Sequence, residues 1–108
     1  MLHEYLADLK NILAELNPYR AVLFGSYAEG TAQPDSDIDL IVVLNKNDLP
    51  INFAERSENY SFVKQYFSLL KNKVPMDLIV YTKREWEEFI KADSSFVREA
   101  LEKGKILS

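Results

Sequence analysis

The stretch from Gly25 to Leu40, GSYAEGTAQPDSDIDL, sets a Gly-Ser pair ten residues ahead of an Asp-x-Asp. The first half suits an anion. Gly25 lets the backbone turn sharply and approach a ligand closely. Ser26 stands at an expected helix N-cap, where free N–H groups and its hydroxyl face outward together and suit a triphosphate tail. Gly30 is expected to end that short helix, and Pro34 to stiffen the return. Tyr27, inside the turn, is a candidate neighbour for a bound nucleotide.

The second half suits a cation. Asp37 and Asp39 are expected to open an apolar strand, Asp37 to Leu44, and residues two apart in a strand project to one side. Two carboxylates held together repel unless a cation lies between them. All-oxygen ligands of this kind favour magnesium or manganese, shared with substrate phosphates. A third acid, Asp77, leads a further apolar run, Met76 to Tyr81. Alone, a Gly-Ser is a turn and an Asp-x-Asp a solvated loop. Together, beside apolar strands where unpaired carboxylates are costly, they point to transfer of a nucleotide from a triphosphate. Metal bound at Asp37, Asp39 and Asp77 would neutralise the departing pyrophosphate and activate an acceptor hydroxyl. Asp77 is placed to take that hydroxyl's proton.

These side chains need elements to carry them. Leu2, Leu6, Leu9, Leu13 and Leu16 recur in steps of four and three, giving an amphipathic first helix stopped by Asn17-Pro18. A strand from Tyr19 to Phe24 delivers Gly25. A second helix is expected over Ala54–Lys71, with Phe62, Val63, Tyr66, Phe67 and Leu70 inward. Thr82 to Glu85 reads as a capping box opening a helix that carries Trp86, Phe89 and Ile90. Asp93 or Ser94 is expected to cap a last helix, with Phe96, Val97, Ala100 and Leu101 inward and Gly104 ending it. For the site to close, strand one must run against strand two, and strands two and three must run parallel through the Ala54–Lys71 helix. The expected fold is α/β (α+β): a small mixed three-stranded sheet flanked by helices, a single domain spanning residues 1–108.

The run Leu23 to Val43 resembles the minimal nucleotidyltransferases of the polymerase-beta-type superfamily, whose hallmark is Gly-Ser, ten residues, Asp-x-Asp. Their third acid is matched by Asp77, and their closing helix by Ser95–Glu99 with Gly104–Leu107. The resemblance implies catalytic and metal-binding roles for Asp37, Asp39 and Asp77, and nucleotide contacts at Gly25 and Ser26. It also implies ATP as substrate and an antitoxin role beside a helical HEPN-type toxin, in which AMP is moved onto a toxin tyrosine. One departure stands out: such chains often carry Arg where this one has Glu29, which removes a favourable charge beside the triphosphate. A non-catalytic subunit that neutralises its partner by contact is therefore the alternative. Transfer to a small molecule is disfavoured, because no additional substrate domain is apparent.

Composition narrows the classes. The chain has 108 residues, 47% hydrophobic and 28% charged, with a net charge of −4. That suits one globular core. Without cysteine, disulfides, thiolate catalysis and sulfur-ligated metals are excluded. No leader or membrane-spanning run is evident, so a cytoplasmic protein is expected. The basic residues Lys71, Lys73, Lys83 and Arg84 form no long run, and a duplex-gripping subdomain has no room, so no nucleic-acid template is expected. Homo- or hetero-oligomerisation stays open. His3 is assigned no chemistry.

Overall fold

The computed structural model describes residues 2–108, with side chains described from Glu4 onward; the inward placement expected of Leu2 lies outside them. Helix α1 (Leu2–Leu16) leads into β1 (Arg20–Phe24), a single turn α2 (Ser26–Glu29) and β2 (Ile38–Leu44). Then come α3 (Phe53–Lys64), a 3-10 turn (Gln65–Phe67), α4 (Ser68–Lys71) and β3 (Met76–Thr82). Helices α5 (Lys83–Lys91) and α6 (Ser95–Lys103) and the short β4 (Lys105–Ile106) complete the chain.

The sheet runs in the order β3-β2-β1-β4. β1 and β2 are antiparallel, and β2 and β3 are parallel through the α3–α4 connection, as convergence of the site residues requires. The fourth strand corrects the expected three-stranded sheet. Lys105 and Ile106 pair antiparallel with Leu23 and Val22, and the Leu107 N–H donates to the Ala21 carbonyl (2.8 Å). Two residues are too few for a period-2 pattern, so this strand exists only because β1 offers it an edge.

Alternation along the strands divides the core between the two faces of the sheet. Ala21, Leu23, Leu40, Val42 and Leu44 pack with Leu9 and Leu13 of α1 and with Val63, Phe67 and Leu70 of α3–α4. Val22, Ile41 and Val43 pack on the other face with Trp86, Val97 and Ala100 of α5 and α6. Every one of these side chains is buried. At ~1.5–3 kcal/mol for each large apolar side chain removed from water, this two-sided burial is what holds the strands in register.

Local signals explain the ends of the elements. Asn17 adopts φ 50° and donates its N–H to the Leu13 carbonyl (2.8 Å), closing α1 before Pro18. The capping box forms: Thr82 N–H donates to Glu85 Oε1 (3.0 Å), and Glu85 N–H donates to Thr82 Oγ1 (3.2 Å). The Thr82 hydroxyl also donates to the Asp48 carbonyl (2.7 Å), tying the β2–α3 loop to the start of α5. Arg56 lies 2.9 Å from the buried Glu85 Oε2, an ion pair without an aligned hydrogen bond. Replacing Thr82 by Val keeps the shape but loses the cap and the loop tie. We expect a cost of about 1–2 kcal/mol, read as a fall of several degrees in thermal melting.

Three inward expectations fail: Phe62 is 46% exposed, Phe96 40% and Leu101 36%, and Ile90, for which no side was expected, is 49% exposed. Val63 and Phe67 already occupy the core stripe of their helix, and Phe62, one residue round, stacks edge-on against Tyr66 instead (5.5 Å). On α5 and α6 the sheet is reached by Trp86, Val97 and Ala100, which leaves Ile90, Phe96 and Leu101 on the flanks. The expected single helix Ala54–Lys71 is also interrupted by the 3-10 turn. Among the described residues, no helix is long and apolar enough to cross a membrane.

Candidate active site

β1 ends at Phe24, which pairs with Asp39 of β2, and Asp39 pairs with Asp77 of β3. The chain turn at Gly25 and two carboxylates thus meet at one end of three adjacent strands. Asp39 shares its sheet face with Ile41 and Val43, the face covered by α5 and α6.

Gly25 is the tightest point. Its backbone lies at φ 74°, ψ −156°, a region essentially restricted to glycine. A Cβ added there would strike the Asp39 carboxylate. Glycine is required both for the conformation and for the space the carboxylate fills. The Ala28 and Glu29 N–H groups both donate to the Gly25 carbonyl (3.1 Å each). The N–H groups of Ser26 and Tyr27 meet no backbone acceptor among the described residues.

Two details differ from expectation. Gly25, not Ser26, is the N-cap, and among the described residues no side chain caps α2. Ser26 is the first helical residue, so its hydroxyl is not spent on the helix end. Gly30 closes α2 in the left-handed conformation at φ 77°. Tyr27 is buried and packs edge-on against Tyr5 at 6.3 Å. Its phenol is held above the ordinary pKa by burial first, and then by Tyr5, Glu4 and Asp37. The ring belongs to the core under the turn and offers no open face for stacking, while the Tyr27 N–H stays at the start of α2.

Asp37 precedes β2 rather than opening it, since the strand begins at Ile38. Its carboxylate still acts on Asp39. The Asp39 carboxyl is raised above the usual carboxylate range by burial, then by the negative charges of Asp77 and Asp37. A divalent cation would relieve all three causes at once, and the donors are hard oxygens. The set therefore fits magnesium or manganese by chemistry. It is not a closed cage. Among the described residues, no group of three or more His, Cys, Asp or Glu side chains stands in metal-holding geometry. A cation here would draw its remaining ligands from water and phosphate, as magnesium habitually does.

A cleft of about 220 Å³ opens beside the turn, lined by Phe24, Gly25, Glu29, Phe96, Glu99, Ala100 and Lys103. It lies on the sheet face that carries Asp39, because Phe24 packs edge-on with Phe96 of α6 (5.5 Å). Nothing in the one-dimensional pattern hints that the α6 residues Glu99 and Lys103 adjoin the turn. No local spacing links position 103 to position 25. The only available signal was the pairing tendency of Lys105 and Ile106, too short to read.

Residues 6–107 match the nucleotidyltransferase domain family, and the chain belongs to it. It is a nucleotidyltransferase. It is 31% identical over 90 residues to a Methanocaldococcus jannaschii protein provisionally named a protein adenylyltransferase, covering 81% of this chain and 89% of that one. Its fold is similar to the crystal structure of a Sulfolobus solfataricus protein provisionally named a nucleotidyltransferase. That match has TM-score 0.58 and 22% identity, over 79% of this chain and 73% of the other. It is also similar to a chain in the crystal structure of a toxin–antitoxin with AMP-PNP, with TM-score 0.58 and 21% identity, over 95% of this chain and 72% of that one.

Proposed function

We propose that the chain transfers AMP from ATP to a hydroxyl on a partner protein, and that the partner is a helical HEPN-type toxin which the modification silences. The observation that carries the reading is the Asp39 carboxylate, lodged against Gly25 and crowded by Asp77 and Asp37. It joins an anion-seeking turn to a cation-seeking cluster at a single point. The adenylyltransferase name of the archaeal relative and the AMP-PNP of the toxin–antitoxin structure support the nucleotide and the partner class. A cytoplasmic setting goes with that role.

In this reading, Asp37, Asp39 and Asp77 would hold divalent metal, which when bound supplies positive charge against the triphosphate and the leaving pyrophosphate. The chain's own groups do the rest. The Gly25–Ser26 turn receives the β- and γ-phosphates on the N–H groups of Ser26 and Tyr27 and on the Ser26 hydroxyl. The acceptor oxygen forms its bond to the α-phosphorus as the bond from that phosphorus to the bridging oxygen of pyrophosphate breaks. Asp77, exposed at the start of β3, takes the acceptor proton.

The test is incubation with α-labelled ATP, magnesium and a HEPN-type helical protein, taken from the adjoining reading frame where that frame encodes one. Covalent label on a hydroxyl of that protein is expected. A second reading, neutralisation by contact alone, is favoured by Glu29, an exposed acid lining the cleft beside Gly25. Tight association without label would select it. Neither label nor association would overturn the partner assignment.

A further inference from the structure

The cleft beside Gly25 holds a charge arrangement that neither the motif nor the family membership assigns. Lys103 is the single cation in its lining, and Glu29 and Glu99 are its acids. Lys103 is brought there by long-range structure. Leu23 pairs with Lys105, so the last turn of α6 lies alongside the end of β1. Gly104 makes that approach possible: a Cβ there would run into the carbonyl oxygens of Ala100 and Leu23. The Lys103 Nζ lies 3.2 Å from Glu99 Oε1, and both side chains are more than half exposed (57% and 66%). Its charged form is favoured by the Glu99 hydrogen bond first, and by the Glu99 and Glu29 charges after it.

An exposed i,i+4 pair of this kind is weak, because water screens both charges. The amine is therefore cheap to release. A triphosphate seated on the adjoining turn carries several negative charges and forms stronger charge-assisted hydrogen bonds than a solvated carboxylate. We propose that Lys103 is a phosphate ligand of the nucleotide site, and that Glu99 holds its amine in the nucleotide-free cleft, with Glu29 adding its charge from the same lining, and yields it when triphosphate binds. Glu29 then has a function. It competes with the triphosphate for Lys103 and holds nucleotide affinity below what the cleft could reach. The acid at position 29 and the lysine at the end of α6 act as one unit.

This inference rests on the Gly25–Ser26 turn being the triphosphate seat, so the experiment must separate the two. Titration calorimetry with MgATP and with AMP is run on the wild type and on the Lys103→Met, Lys103→Arg, Glu29→Gln and Gly25→Ala variants. The Glu29→Gln/Lys103→Met double variant completes the set, and thermal melts verify that each is folded. Lys103→Met is expected to weaken MgATP binding about tenfold while changing AMP binding less than twofold. Lys103→Arg is expected to recover most of the loss. Glu29→Gln is expected to tighten MgATP binding severalfold, and at least half of that gain is expected to vanish in the double variant. Lys103→Met binding MgATP as the wild type does, while Gly25→Ala abolishes binding, overturns the role of Lys103 and leaves the turn in place. Equal loss of MgATP and AMP overturns it as well. MgATP affinity unchanged by Gly25→Ala, or a wild type that does not bind MgATP, overturns both.

Discussion

Asp39→Asn is expected to lower nucleotide transfer by at least about 10³-fold and, at the same time, to raise the melting temperature at neutral pH. The two effects share one cause. Burial, Asp77 and Asp37 push the Asp39 carboxyl above its ordinary pKa, so the folded protein holds this proton more readily than the unfolded chain does. Stability tied to the group is fully present below the unfolded value, about 3.9, and is lost as pH rises through the raised folded value. At pH 7 the wild type carries that penalty and the asparagine variant does not. Melts across pH 3–8 should show the variant ahead by a few degrees at pH 7, with its advantage shrinking towards zero below the ordinary aspartate value. A variant less stable than wild type at pH 7, or one retaining normal transfer, would remove Asp39 from the centre of the site. Added magnesium should narrow the stability gap by stabilising the wild type alone, since only the wild type offers the full carboxylate set.

Gly25→Ala should damage stability and activity together. The backbone conformation costs a residue with a Cβ about 1–3 kcal/mol, and that Cβ would also meet the Asp39 carboxylate. A melting temperature lower by on the order of 10 °C follows for a domain of this size. Transfer should fall by at least about 10²-fold, because Asp39 must move away from the point where the proposed function brings phosphate and cation together. The two contributions separate in a double-mutant cycle. Asp39→Ala in the Gly25→Ala background clears the collision but leaves the backbone strain, so it should restore part of the stability and none of the activity. Additive stability losses would mean that the carboxylate and the turn do not touch.

The Gly-Ser, ten-residue, Asp-x-Asp spacing, the strand directions that convergence of those residues demands, and the Thr82–Glu85 cap were all readable along the chain. The cap depends on neighbours within a few residues and the strands on alternation along one segment, and the directions follow once the motif residues are required to meet. The burial of Tyr27, by contrast, exists only in three dimensions. A one-turn helix has no period of its own, and Tyr5, more than twenty positions earlier, supplies the contact that buries it. Asp37 likewise stands before β2 because the ladder with β3 begins at Ile38 and Met76, a pairing between distant segments. The same reason hides β4 and the cleft with Lys103. Two residues carry no pattern, and the edge of β1 that gives them a structure is some eighty positions away. Chemistry confined to one loop was legible in the chain, whereas the charge that α6 brings to that loop exists only because the sheet folds the end of the chain back beside its first strand.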